Sequence, residues 1–332
     1  MHKYHIELRK HLMKRFSILT LSLLLALSSL LAACQQAPTP TAAPVTLKIT
    51  FLPIIDSLPM YVAAQEGLYA KHGVNVEFVP VAAAPERDQL IAAGQADGMI
   101  NETLSTFFFN RETTQLQIVR YSLVPTAGAG HFFILASKDS GITTPEGLKG
   151  VEIGVSQGTV IEYVTERLLQ AAGLTLEEIK TVAVPKISDR MSLLASGGIK
   201  AGVMPDPLAG LAVQQGAVPI LDDANYPQYG FSVISFRKSV IDAHPEAIRG
   251  FLAAIEEATA LVNANPEKYT TLLSDNKLVP EPLLQTYQVP PFPLKGVPTE
   301  AEWQDALEWA KSKDLIDVDV SYADSVVSTY LP

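Results

Sequence analysis

The stretch ERDQLIAAGQADGMINET, which begins at Glu86, returns in altered form as DRMSLLASGGIKAGVMPDP from Asp189. Arg87 aligns with Arg190, Gly94 with Gly197 and Ile100 with Val203, each 103 residues apart. Both copies run acid–Arg, an apolar set at helical spacing, a small-residue pair with Gly, and a short apolar strand ending in polar residues. A chain that repeats such a unit is constrained to build two halves of similar α/β design.

The flanking segments extend the repeat. VTLKITFLP from Val45 alternates like a strand, DSLPMYVAAQEGLYAKHG reads as a helix closed by Gly73, and VNVEFVPV is a second strand. Asp56 or Ser57 can cap that helix, with Pro59 in its first turn. PERDQLIAAGQA and DGMI complete a β-α-β-α-β unit. GVEIGVS, GTVIEYVTERLLQAAG, IKTVAVP, SDRMSLLASGG and AGVM give the same order again. Alternating strands and helices predict mostly parallel sheets flanked by helices, in two lobes that meet across a cleft. Lobe 1 is expected over 45–134 and 236–332, lobe 2 over 135–235, with a two-strand hinge at about 133–137 (HFFILASK) and 230–236 (YGFSVISFRK). The helical C-terminal segments around 244–269 and 299–316 are expected to pack on lobe 1, the latter through Trp303, Leu307 and Ala310.

Ahead of this body the first 16 residues are basic, and an apolar run then closes in small residues at Cys34, the pattern of a secretory signal peptide over 1–33. Leu31-Ala32-Ala33-Cys34 resembles a bacterial lipobox, which implies lipidation of Cys34; a membrane-spanning anchor is the alternative for the apolar run. Residues 34–44 are Pro-, Thr- and Ala-rich and read as a tether. The first 33 residues hold five Lys/Arg and one Glu, so the chain's 25 basic and 35 acidic residues fall to 20 and 34 without them. A body with a net charge near −14 is repelled by nucleic acid. One Cys excludes an intramolecular disulfide and a Cys-based zinc site, and His72, His131 and His244 lack ligand spacing. No cofactor and no metal are expected, and the body is expected to be a monomer.

Ligands of such sheets bind beyond the carboxyl ends of the strands, beside helix N-termini. That places Asp56, Ser57, Tyr61, Asn101, Glu102 and Thr103 on lobe 1, and Gln157, Thr159, Tyr163 and Asp206 on lobe 2, as candidate binding residues. Tyr121 and Tyr229 join them as stacking surfaces, whereas Phe107–Phe109 read as core. Asp56, Ser57 and Thr159 could equally serve only as helix caps. Lys186 and Arg190 are the cations placed nearby. A competing reading starts from Gly154-Val155-Ser156-Gln157-Gly158, a G-x-S-x-G between strand and helix that would make the chain a secreted serine hydrolase. Against it, the one downstream histidine, His244, sits at a helix start, and no oxyanion segment precedes the serine.

YVAAQEGLYAKHGVNVEFVPV resembles the opening signature of the cluster-two solute-binding proteins of ABC importers, and LIAAGQADGMINET resembles their second element. The likeness covers about residues 45–320 and implies a periplasmic-binding-protein type II fold. It implies capture of a small molecule between the lobes, a membrane permease as partner, and no catalysis. The branch holds binders of nitrate, alkanesulfonates, taurine, thiamine-pyrimidine precursors and riboflavin. Carboxylates with tyrosines suit a flat heterocycle, so riboflavin is the expected ligand and a thiamine-pyrimidine precursor the next. Nitrate, an alkanesulfonate or taurine is the alternative. A sensory or adhesive lipoprotein with the same body would look identical in sequence.

Overall fold

The computed structural model describes residues 43–332. The signal segment, Cys34 and most of the tether lie outside the described residues. Among those described, no helix is long and apolar enough to cross a membrane.

The first half runs β1 (Val45–Phe51), α1 (Leu58–Gln65), α2 (Leu68–Lys71), β2 (Val74–Pro80), α3 (Ala84–Ala92), β3 (Gly98–Asn101), α4 (Thr103–Asn110) and β4 (Leu116–Leu123). The single helix expected after β1 is broken because Gly67 takes a left-handed φ of 67°, a conformation that glycine adopts at little cost. The second half runs β5 (Phe132–Ala136), β6 (Glu152–Val155), α5 (Val160–Ala171), β7 (Lys180–Ala183), α6 (Ile187–Ser196), β8 (Ala201–Pro205), α7 (Leu208–Gln214) and β9 (Val218–Asp222). The chain then returns through β10 (Ser232–Arg237), α8 (Lys238–Ala243), α9 (Pro245–Ala264), α10 (Thr270–Asp275), α11 (Glu300–Ser312) and α12 (Tyr322–Ser325).

These strands form two five-stranded sheets of matching topology, β2-β1-β3-β10-β4 and β7-β6-β8-β5-β9. In each, the strand in fourth place runs antiparallel to its neighbours, β10 in the first sheet and β5 in the second. The repeat maps onto equivalent pieces, α3 with α6 and β3 with β8. The mixed α/β, two-sheet architecture is therefore the one the repeat requires.

Two details correct the expected layout. Residues 133–137 belong mostly to β5, inside the second sheet, and 232–236 belong to β10, inside the first. The crossings are the segments between, 124–131 and 223–231. An apolar strand signal marks a segment that enters a sheet, and backbone polar groups buried in a sheet must pair there.

The second correction concerns the C-terminal helices. One core packs α9 residues such as Phe251 and Ile255 with Leu47, Ile49 and Phe236 of the first sheet. Helix α11, expected on the same lobe, belongs to the other core, where Trp303, Leu307 and Trp309 meet Ile153, Val164 and Leu168 of the second half as well as Phe107 of α4. Trp303 lies edge-on to Phe107 at 4.6 Å. Farther along α11, Trp309 Nε1 donates to Glu166 of α5 at 2.7 Å, and Arg167 Nε donates to Asp305 at 2.9 Å. The helix is a brace between the lobes.

Candidate functional site

Between the carboxyl edges of the two sheets lies a cavity of about 80 Å³. The first half contributes Leu52 after β1, Arg87 of α3, and Ile100, Asn101 and Glu102 at the end of β3. The second contributes Pro205 at the end of β8, Ile187 at the start of α6, and Thr159, Val160 and Ile161 at the start of α5. His131 and Phe231 reach in from the crossings, and Phe132 and Ser232 from the first positions of β5 and β10.

Asp56 anchors one end. Its Oδ2 accepts from Ser232 Oγ at 2.5 Å, and its Oδ1 lies 3.1 Å from His131 Nε2 as an ion pair. On the far side of the ring His131 Nδ1 lies 2.6 Å from the Gly230 carbonyl, which can only accept, so that nitrogen carries a proton. Burial, the largest single influence, lowers the imidazole pKa, but the charge and hydrogen bond of Asp56, the Asp223 charge and the Gly230 carbonyl together outweigh it and push the value up to about 9. Burial likewise raises Asp56, yet the His131 charge and the Ser232 hydroxyl bring it below the ordinary carboxylate value. Asp223 supports the ring's backbone: its Oδ1 accepts from the N–H of His131 at 2.7 Å and of Phe132 at 3.1 Å. Glycine is required at position 230, because a Cβ there would sit 1.7 Å from Asp223 Oδ2.

The other end is held by Arg87, which is 4 % exposed. Its Nη2 contacts Glu102 Oε1 at 3.2 Å, its Nε contacts Asp88 Oδ1 at 2.8 Å, and its Nη1 donates to the Ile100 carbonyl. Glu102 also caps α4, accepting from Ser105 N at 2.9 Å. Burial raises the Glu102 pKa, with the Arg87 charge pulling against it.

The sequence candidates divide by position. Asp56, Asn101, Glu102 and Thr159 line the cavity. Asn101 is committed to its own lobe, since Nδ2 donates to Thr106 Oγ1 and Oδ1 accepts from Ser235 Oγ. Thr159 caps α5, accepting from Ile161 N at 3.2 Å. Thr103, Tyr163 and Tyr229 surround a smaller adjoining space, with Tyr163 donating to Asp305 of α11. Asp206 stands beside the Asp56–His131 pair; burial pushes its pKa up to about 6, and its Oδ2 accepts from Tyr287.

Four candidates stand elsewhere. Ser57 donates to the Ile54 carbonyl without capping a helix. Tyr61 packs edge-on against Phe51 and Phe78 in the first core. Tyr121 is tied to Glu302 of α11. Gln157 is exposed and bonds Thr181 across the β6–β7 end. Each obeys a local rule of helix start or strand end, but its side chain is claimed by a neighbour on its own lobe or on the brace.

The sequence reading passed over Arg87, His131, Ser232 and Tyr287. Arg87 was in the repeated motif, and the motif was its only signal; the other three find partners far along the chain. Ser156, the hydrolase candidate, is 3 % exposed, and among the described residues no imidazole hydrogen-bonds its hydroxyl. Nor do the described residues contain three His, Cys, Asp or Glu side chains grouped to hold a metal.

Residues 54–269 match the family model described as "NMT1/THI5 like". The "Putative aliphatic sulfonates-binding protein" of Escherichia coli K12 is 25 % identical over 281 residues, covering 83 % of this chain and 86 % of that protein. The "Formylaminopyrimidine-binding protein" of Halalkalibacterium halodurans is 23 % identical over 347 residues, covering 95 % of this chain and 99 % of that one. Among solved structures, the alkanesulfonate-binding protein SsuA of Xanthomonas axonopodis pv. citri bound to MOPS superposes with a TM-score of 0.73 at 17 % identity, over 86 % of this chain and 99 % of that one. At that identity the likeness concerns the fold.

Proposed function

The chain belongs to the NMT1/THI5-like family, and from that premise we propose that it is the solute-binding component of an ABC importer, closing its two lobes on a small molecule. The observation that carries this reading is the cavity itself, walled by the carboxyl edges of both sheets and lined by the charged side chains of Asp56, Arg87, Glu102 and His131. Solute contacts made with both lobes at once favour the closed form by their differential affinity.

Size guides the choice of solute. A water needs about 10–15 Å³ of such space, so 80 Å³ takes a group of a few heavy atoms. Riboflavin exceeds that several-fold, and the relatives named above are a sulfonate binder and a formylaminopyrimidine binder. The flavin expectation therefore finds no support, and the solute we propose is the alternative: a small sulfonate or an anion of nitrate size. Export with a lipid on Cys34 is part of the same proposal, the tether holding the body beside its permease. Catalysis is not, since Ser156 lacks an imidazole partner among the described residues.

Calorimetric titration of the purified protein with ethanesulfonate, nitrate, 2-aminopyrimidine and riboflavin tests the reading. Saturable binding of ethanesulfonate or nitrate is expected, and binding of 2-aminopyrimidine alone would keep solute capture but overturn the choice of solute. Binding of none of them, or of riboflavin alone, overturns the reading.

A further inference from the structure

The internal repeat pairs two buried guanidiniums. Arg87 donates to the carbonyl of Ile100, and Arg190 donates through Nε to the carbonyl of Val203 at 2.6 Å, the same strand position 103 residues on. On the first lobe, Arg87 is neutralised by Asp88 and Glu102. On the second lobe, the corresponding positions hold Met191 and Pro205, neither of which carries charge.

Arg190 is fully buried, and its remaining donor set reaches only the Val184 carbonyl, at 2.7 Å through Nη1. Among the described residues no carboxylate forms an ion pair with it, and Nη2 has no hydrogen-bond partner. Burying a charge without a counter-charge is costly. Burial alone accordingly lowers its pKa, to about 10.

Arg190 is not itself part of the cavity lining, but its neighbours are. Its Cγ lies over Gly154 and Gly202, where an added Cβ would stand 3.5 Å away. Its Nε and Nη1 reach the carbonyls of Val203 in β8 and of Val184 just past β7. Ile187, one helical turn earlier, and Pro205, two residues past the carbonyl it holds, both line that cavity. Glu102, the first-lobe equivalent of Pro205, lines it too and places its carboxylate against Arg87.

We propose that the anionic group of the solute takes, on the second lobe, the place that the Glu102 carboxylate holds on the first, so that Arg190 selects a negatively charged ligand. This rests on the solute-binding reading above and deepens it. The guanidinium is matched only when a charged solute is enclosed, which ties charge selection to closure. A neutral heterocycle would leave Arg190 unmatched.

Two variants test the assignment. Arg190→Met removes the charge but also the bonds to two carbonyls, so its folding is followed by thermal melting. Met191→Asp keeps the guanidinium and offers it a carboxylate where Asp88 serves Arg87. Calorimetry with ethanesulfonate, nitrate and 2-aminopyrimidine is expected to show that wild type prefers an anion. M191D should lose about ten-fold or more of that anion's affinity while its melting temperature stays within a few degrees. Unchanged anion affinity in M191D, or a wild-type preference for neutral 2-aminopyrimidine, overturns the role of Arg190 and leaves solute binding intact. Binding of none of the three counts against solute binding and this inference together.

Discussion

His131 is the residue on which the cleft's charge arrangement turns. It sits in the first crossing, pairs with Asp56 before the first helix, and donates to Gly230 in the second crossing. A buried imidazolium is stable there because a carboxylate and a carbonyl face its two nitrogens, and Asp223 adds a second negative charge. Its folded pKa of about 9 lies above the ordinary 6.5. The resulting stabilisation is complete below about pH 6.5 and is lost as the pH rises through 9. Asp206 and Asp223, both raised to about 6 mainly by burial, act in a lower window, with stability falling as the pH climbs from near 4 through 6. Urea unfolding of wild type between pH 6.5 and 10 should therefore show a loss of roughly 2–4 kcal/mol. His131→Gln, which cannot titrate, should be less stable at pH 6.5 and flat across that range. A wild-type curve that is itself flat there would show that the ring is neutral at pH 6.5.

At the scale of elements, helix α11 joins lobes that the sheets keep apart. Its first turns hold Phe107 of α4 and Tyr121 of β4, while Asp305, Trp309 and Lys313 hold α5. Helices α4 and α5 also present their starts to the cleft, Thr103 beside Tyr163 and the cap residue Thr159 in the cavity wall. The brace thus ties the two walls together in this arrangement. Trp309→Phe keeps the ring and deletes the donor to buried Glu166, leaving that carboxylate with Lys313 alone. A loss of about 1.5–3 kcal/mol is expected in urea unfolding, and a change below 0.5 kcal/mol would remove the indole from the brace. Little of this joint was legible in the sequence. The repeat exposed α3 and α6 and the strands they precede because apolar spacing and glycine stops are local signals. The same signals marked β5 and β10 as strands but could not say which sheet each enters, since pairing is non-local. Strand ends located Asp56, Asn101, Glu102 and Thr159 for the same local reason. His131, Ser232 and Tyr287 stayed hidden because their partners come from other segments altogether.

In the whole molecule, closure needs contacts that exist only when the lobes meet. Tyr287 packs against the first core, yet its hydroxyl donates to Asp206 just past β8 of the second sheet. The bond links the two halves beside the Asp56–His131 pair, and under the proposed closure it favours the closed form. Removing it should leave each lobe folded and shift the balance toward the open form, so that solute dissociates faster. Tyr287→Phe is expected to weaken binding of the preferred solute several-fold at pH 8, where Asp206 is ionised and the hydrogen bond is charge-assisted. Because the Asp206 carboxyl takes up a proton near pH 6, the penalty should shrink toward pH 5. Stopped-flow dissociation rates for wild type and Y287F at the two pH values measure both effects. Equal rates at pH 8 would mean that this contact does not hold the jaws, and a penalty that persists undiminished at pH 5 would mean that the carboxylate charge contributes nothing to it.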